Sequence, residues 1–136
     1  MDIQIAVVCD AATDSNGRLN LLGAFDTIHA AQLPVVHPHC SIVLRMTFSK
    51  VEEGEHKLRL NFVDEDGKSI MQGTHLPDLP FQVRVTDDTL FMTTNFIVSI
   101  QQLRFDKAGH YSIDVAVDGR QEASIPLLVK TVTVKA

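Results

Sequence analysis

Apolar and polar residues alternate with a period of two through most of this chain, and a helical period is almost absent. In "HKLRLNFVDEDG", Leu58, Leu60 and Phe62 fall on one face while Lys57, Arg59 and Asn61 fall on the other. Ile42, Leu44, Met46 and Phe48 share a face in "SIVLRMTFS", as do Tyr111, Ile113, Val115 and Val117 in "HYSIDVAVDG". Ile3, Ile5, Val7 and Cys9 repeat the pattern near the start. Successive side chains of a strand point to opposite sides of its sheet, so this spacing predicts strands.

The turn chemistry agrees. Asn16-Gly17, Asp66-Gly67 and Asp118-Gly119 each stand between two alternating runs, and such pairs accept the positive φ angles of tight hairpins. Strands are therefore expected near 2–9, 18–29, 39–49, 55–64, 68–73, 80–86, 92–104, 110–117 and 121–134. Strands at this spacing, separated by turns, indicate a sandwich or barrel. "GTHLPDLPFQ", with Pro77 and Pro80, is the least regular segment and reads as an edge or a long loop. With 136 residues, no repeat and no linker, the chain makes one all-β domain over 1–136. A chain of this size buries roughly 65–70% of its unfolded surface, enough for a core without staples.

"FDKAGHYSIDV" narrows the architecture. Gly109 stands two residues before Tyr111, which opens an alternating strand. The arrangement resembles the tyrosine corner of immunoglobulin-like sandwiches, where the hydroxyl bonds to upstream backbone. A two-layer antiparallel β-sandwich is expected, an immunoglobulin-like Greek key ahead of a jelly roll or C2-like layout. Tyr111, Gly109, Gly17, Gly67 and Gly119 are assigned structural roles.

"AVVCDAATDSNGRLNLLGAFDTI", "FVDEDGKSI", "FDKAGHYSIDVAVDGR" and "SIPLLV" occur in that order and span most of the chain. They resemble a family of small bacterial proteins of unknown function. Its members share an early aspartate, a G-[KR]-L-N-[IL]-x-G stretch, a D-E-D-G turn and a late G-x-Y strand pair ending in D-G. Here these fall on Asp10, Gly17 to Gly23, Asp64 to Gly67, and Gly109 to Gly119. The resemblance implies a β-sandwich and brings no activity, cofactor or functional residue.

Composition removes several function classes. Net charge is −5 and the 12 basic residues are scattered singly, so no basic patch is expected to hold nucleic acid. No segment approaches the roughly 20 apolar residues of a membrane span, so no membrane partner is expected. The N-terminus starts with an acid and a short apolar run, unlike a secretory signal, which makes the cytoplasm the expected location. Cys9 and Cys40 would stay reduced there.

The densest set of metal-ligand types is "VVHPHC", residues 35–40. Pro38 pushes His37 towards an extended conformation. On an extended chain His37 and His39 would point the same way and could offer two imidazoles to zinc or iron. Cys40 would point the other way, and a third ligand would have to come from His29, His75, His110 or Asp26. The structural alternative is a loop entering a strand at Cys40. Asp64, Glu65 and Asp66 lack the downstream ligands of a calcium loop and read as a turn. No nucleophile elbow, phosphate-cradling glycine loop or H-E-x-x-H motif is present. No catalytic residue and no cofactor are assigned.

"IAVVC", "LNLLGAF", "NFIVSI" and "SIPLLVKTVTV" carry apolar groups on both faces. The outer face of a two-layer sandwich should be polar unless a loop of the same chain, an identical subunit or another partner covers it. A homo-oligomer, most simply a dimer, is expected. The combined expectation is a non-catalytic binding or assembly module acting through surface contacts. The alternative is a metal-binding protein or metal-dependent enzyme using His37 and His39.

Overall fold

The structure, a computed structural model, describes residues 1–70, 76 and 78–132. Nine strands carry the expected period: β1 (Asp2–Ser15), β2 (Arg18–Phe25), β3 (Thr27–Ala30), β4 (Val35–Ser49), β5 (Gly54–Val63), β6 (Leu79–Val83), β7 (Phe91–Phe105), β8 (Gly109–Val117) and β9 (Arg120–Thr131). One 3₁₀ turn at Lys50–Glu52 joins β4 to β5, and no α-helix occurs among the described residues. The strands form a four-stranded sheet in the order β2-β1-β4-β7 and a five-stranded sheet in the order β3-β9-β8-β5-β6. All pairings are antiparallel except β3 with β9, which run parallel from Thr27↔Leu128 to Ala30↔Thr131.

The core lies between the sheets and is built from the alternating faces. Ile42, Leu44, Met46 and Phe48 of β4 meet Leu58, Leu60 and Phe62 of β5 and Ile113, Val115 and Val117 of β8, all buried. Asn16-Gly17 and Asp118-Gly119 close their hairpins with φ of 54°, 81°, 53° and 82°, the left-handed pair that matches strand twist. Asp64 Oδ1 accepts the amides of Asp66 and Lys68, 2.9 Å each, and so shapes the turn containing Gly67.

Several boundaries differ from the sequence expectation, the first being β1, which runs on to Ser15 instead of ending near residue 9. The single strand expected over 18–29 is two: β2 ends at Phe25, the chain crosses to the other sheet at Asp26, and β3 begins at Thr27. β4 begins at Val35 rather than near residue 39, so "VVHPHC" lies inside a strand and is no entering loop. Pro38 is tolerated because β1 pairs with β4 only up to Cys9↔Ser41, leaving that flank of β4 without a neighbour at Pro38. The strand expected over 68–73 shows one bridge, Val63↔Ser69, with residues 71–73 outside the described residues. Pro77 and His75 also lie outside them, whereas Pro80 sits in β6, an edge strand of its sheet.

The first strand corrects the expected face. Ile3 pairs with Met46 and packs on the core, but a register irregularity between Ile3 and Ile5 reverses the alternation. Val8 then points inward, opposite Ile42, while Val7 and Cys9 point outward, opposite Val43 and Ser41.

Candidate functional site

His37 and His39 do not share a face. His37 pairs with Leu103 and His39 with Gln101. Leu103 and Ile100 both point into the core although three residues separate them. Opposite Pro38, Gln102 takes φ 58°, and this left-handed residue absorbs the reversal. His37 therefore turns to the inner side, its ring 5.1 Å from that of Phe25, while His39 stays exposed on the outer side. Two imidazoles on opposite faces of one strand cannot chelate one ion. The expected common direction is corrected by a local backbone reversal that residue spacing cannot reveal. His29 and His110 lie exposed on β3 and β8. His29 and His37 share the rim of a shallow cleft with Asp10, Gly23 and Phe25. Among the described residues no three His, Cys, Asp or Glu side chains gather as a metal-holding group.

A histidine that sequence reading passed over is the most tightly held. His56 Nε2 donates to the Glu52 carbonyl at 2.6 Å, and Nδ1 donates to Asp118 Oδ2 at 2.6 Å. A carbonyl and a carboxylate oxygen are both acceptors, so the arrangement favours the imidazolium, protonated on both ring nitrogens. The Glu52 carbonyl raises its pKa most, burial opposes this, and the Asp118 carboxylate raises it further. Burial works against ionisation of Asp118, but the bonds from His56 and the Lys57 amide hold its pKa below the usual range. The ring packs between Phe81, at 5.5 Å and 26°, and Phe48, at 5.5 Å. Histidine–aspartate pairs elsewhere serve acid–base chemistry because one ring nitrogen stays open to substrate. Here both are engaged, and the pair clamps the 3₁₀ turn, β5 and the β8–β9 turn together.

Around Cys9, Ser41 and Val43 the outer face of the four-stranded sheet is covered by the chain itself. Cys9, Val43 and Ser41 point outward yet are 0%, 0% and 2% exposed. Beyond Cys9↔Ser41, β1 leaves β4 and continues only in its hairpin with β2. The tip of that hairpin returns to the sheet. Arg45 Nη1 donates to the Gly17 carbonyl at 3.0 Å, and Asn95 Nδ2 donates to it at 3.1 Å and to Asp14 Oδ2 at 3.2 Å. Arg45 pairs with Ile5, whereas Gly17 lies far beyond Ile5 along the strand, so the arm doubles back over the outer face. "LNLLGAF" supplies one strand of this cover. Burial raises the pKa of Cys9, and that of Cys40 on the opposite face to about 11, which disfavours the reactive thiolate at both.

Tyr111 donates from its hydroxyl to the Lys107 carbonyl at 2.7 Å and sets its ring edge-on to Phe105 at 4.9 Å. Gly109 opens β8 opposite Val129 with φ 148°.

The remaining feature is an edge. β7 pairs along its whole length with β4 and with no other strand of the described residues. From Phe91 to Leu103 it contains no charged residue, no proline and no glycine. Met92, Phe96 and Val98 face the core but are only partly buried. Other edges are short or interrupted: β3 has 4 residues, β6 has 5 with Pro80 among them, and β2 has 8 with Gly23 at φ 70°. Short edges, prolines and irregular backbone are the usual protection against edge pairing, and β7 carries none of them over Phe91–Gln101.

No helix among the described residues is long and apolar enough to cross a membrane. No curated protein and no solved structure matches the chain. A family model does match, over residues 4–130, and the chain accordingly belongs to the family of unknown function DUF6941.

Proposed function

We propose that this chain is a non-catalytic binding and assembly module on an immunoglobulin-like Greek-key sandwich, acting through strand addition at β7. The strand order supports the architecture. β1-β4-β7 run in the order A-B-E of an immunoglobulin domain, and β9-β8-β5 in the order G-F-C. Tyr111 lies at the start of the strand in the F position, as a tyrosine corner requires. The constant-type layout places strand D beside E, and no described strand stands there beside β7. That charge-free edge, which pairs with no strand but β4 among the described residues, is the observation that carries the reading. Main-chain bonding along it would supply affinity, and side chains on alternate positions would supply selectivity. The location that goes with this reading is the cytoplasm, where Cys9 and Cys40 would stay as thiols.

The test compares affinity capture from native lysate by the wild type and by Ser99→Lys, which places a charge at an exposed position of β7. Proteins retained by the wild type and lost by the folded variant are the expected result. Identical sets from both would refute the edge as the contact.

A further inference from the structure

We infer that the strand added at β7 is β7 of a second copy of this chain, paired antiparallel about a two-fold axis at Phe96. This inference rests on the proposed edge-binding role. It commits to one occupant for three reasons.

The regular part of β7 is bounded. Phe91 begins the strand and the left-handed Gln102 ends its regular alternation. The midpoint of Phe91–Gln101 is Phe96. A two-fold axis there uses the whole regular stretch of both copies, with roughly ten interchain hydrogen bonds for strands of this length.

That register is compatible on both faces. Antiparallel pairing about Phe96 sets Met92 opposite the second copy's Ile100, Thr94 opposite its Val98, and Phe96 opposite its Phe96. These are the inner-side residues, and Met92, Phe96 and Val98 are the ones left partly buried at the edge. The second copy would supply the apolar neighbours they lack. On the outer side Thr93 meets Ser99 and Asn95 meets Ile97, polar or neutral at every pair. Because β7 is uncharged from Phe91 to Leu103, self-pairing sets no like charges against each other, which is the usual obstacle to edge pairing.

The symmetry is closed. An antiparallel strand paired with its own copy makes the same contact from both sides, so assembly stops at two. The four-stranded sheets become one sheet of eight. A foreign strand could use the same hydrogen bonds, but only a second copy always carries the matching length and neutrality.

The test measures mass by light scattering from 1 to 200 μM, on the order of the range for a moderate self-affinity. The expected result is twice the chain mass of 15.0 kDa at the upper end. Ile97→Lys, and the milder Ser99→Lys, should return the monomer with unchanged dichroism. A register probe accompanies this. Thr93→Cys and Ser99→Cys proteins, oxidised together, should form a mixed disulfide in excess over either self-disulfide. Monomer mass at every concentration overturns self-pairing. So does a dimer insensitive to both lysines, or one giving no mixed disulfide. If the protein is monomeric while capture from lysate still depends on Ser99, the second copy fails and the edge-binding role stands. If the protein is dimeric by this register while capture is unaffected by Ser99→Lys, the self-pairing stands and the wider binding role fails.

Discussion

The carboxylate of Asp10 rests against Gly23: a Cβ added at Gly23 would lie 2.5 Å from Asp10 Oδ2 and 3.3 Å from Asp10 Cβ. These residues face each other where the β1–β2 arm departs from the sheet, between the pairs Cys9↔Ala24 and Ala11↔Leu22. Gly23 also takes φ 70°, a conformation that costs an L-residue about 1–2 kcal/mol. Gly23→Ala should therefore destabilise by about 2 kcal/mol in urea unfolding, combining backbone strain with displacement of Asp10. Asp10→Ala in the same chain should recover only the displacement part. Full recovery would mean that the backbone angle contributes nothing.

The arm predicts a selective change in thiol chemistry. Cys9 is sealed by the arm on the outer face, whereas Cys40 is sealed in the core between the sheets. Arg45 and Asn95 hold the arm tip through Gly17 and Asp14. Replacing both by alanine removes about 1–3 kcal/mol of hydrogen bonding from the tip. Native-state labelling of Cys9 should then quicken on the order of tenfold, since about 1.4 kcal/mol is a factor of ten in an opening equilibrium. Cys40 should label at the wild-type rate. Equal acceleration of both would point to global loosening.

What could be read from the sequence follows from the range of the interactions involved. Leu58, Leu60 and Phe62, or Tyr111 to Val117, bury the face that their alternation marks because each strand is regular over that length. The hairpin turns at Asn16-Gly17 and Asp118-Gly119 are local and equally legible. Local irregularities were not. Gln102 is an ordinary glutamine by type, yet its left-handed φ separates the faces of His37 and His39. The irregularity at Gln4 likewise moved Val7 and Cys9 outward. Long-range return was also hidden. Apolar residues on both faces of "LNLLGAF" signalled that something must cover the outer face, but the cover is fixed by Asn95, far along the chain from Gly17. The His56 clamp joins residues from Glu52 to Asp118, and no spacing rule brings them together.

Tyr111 offers a two-level test. Tyr111→Phe removes one hydrogen bond, 2.7 Å to the Lys107 carbonyl, and keeps the edge-on contact with Phe105. The expected loss is about 1 kcal/mol. Tyr111→Ala removes the ring as well and should cost about 3 kcal/mol or more. Chemical denaturation of both variants measures the two losses. Equal losses would show that the ring contributes nothing beyond its hydroxyl.

The His56 clamp sets a pH dependence whose sign is fixed by its direction of shift. Both ring nitrogens donate to acceptors, so the folded state favours the imidazolium and its pKa lies above the ordinary value. A group with a raised folded pKa binds protons more tightly when folded, so its contribution is fully present below the unfolded value, about 6.5, and is lost as pH rises through the folded value. Asp118 acts in the opposite sense: its folded pKa is lowered, and its contribution is lost as pH falls through that value. Stability attributable to the clamp should thus form a plateau in weakly acidic solution and decline on both sides. His56→Gln loses the charge and at least one of the two bonds, for an expected cost of about 1.5–3 kcal/mol at pH 6. Urea unfolding of wild type and variant from pH 4 to pH 9 measures the difference, which should shrink as pH rises above the folded imidazole value. A difference constant across neutral pH would mean that folding does not raise the proton affinity of the His56–Asp118 pair, and would overturn the imidazolium clamp.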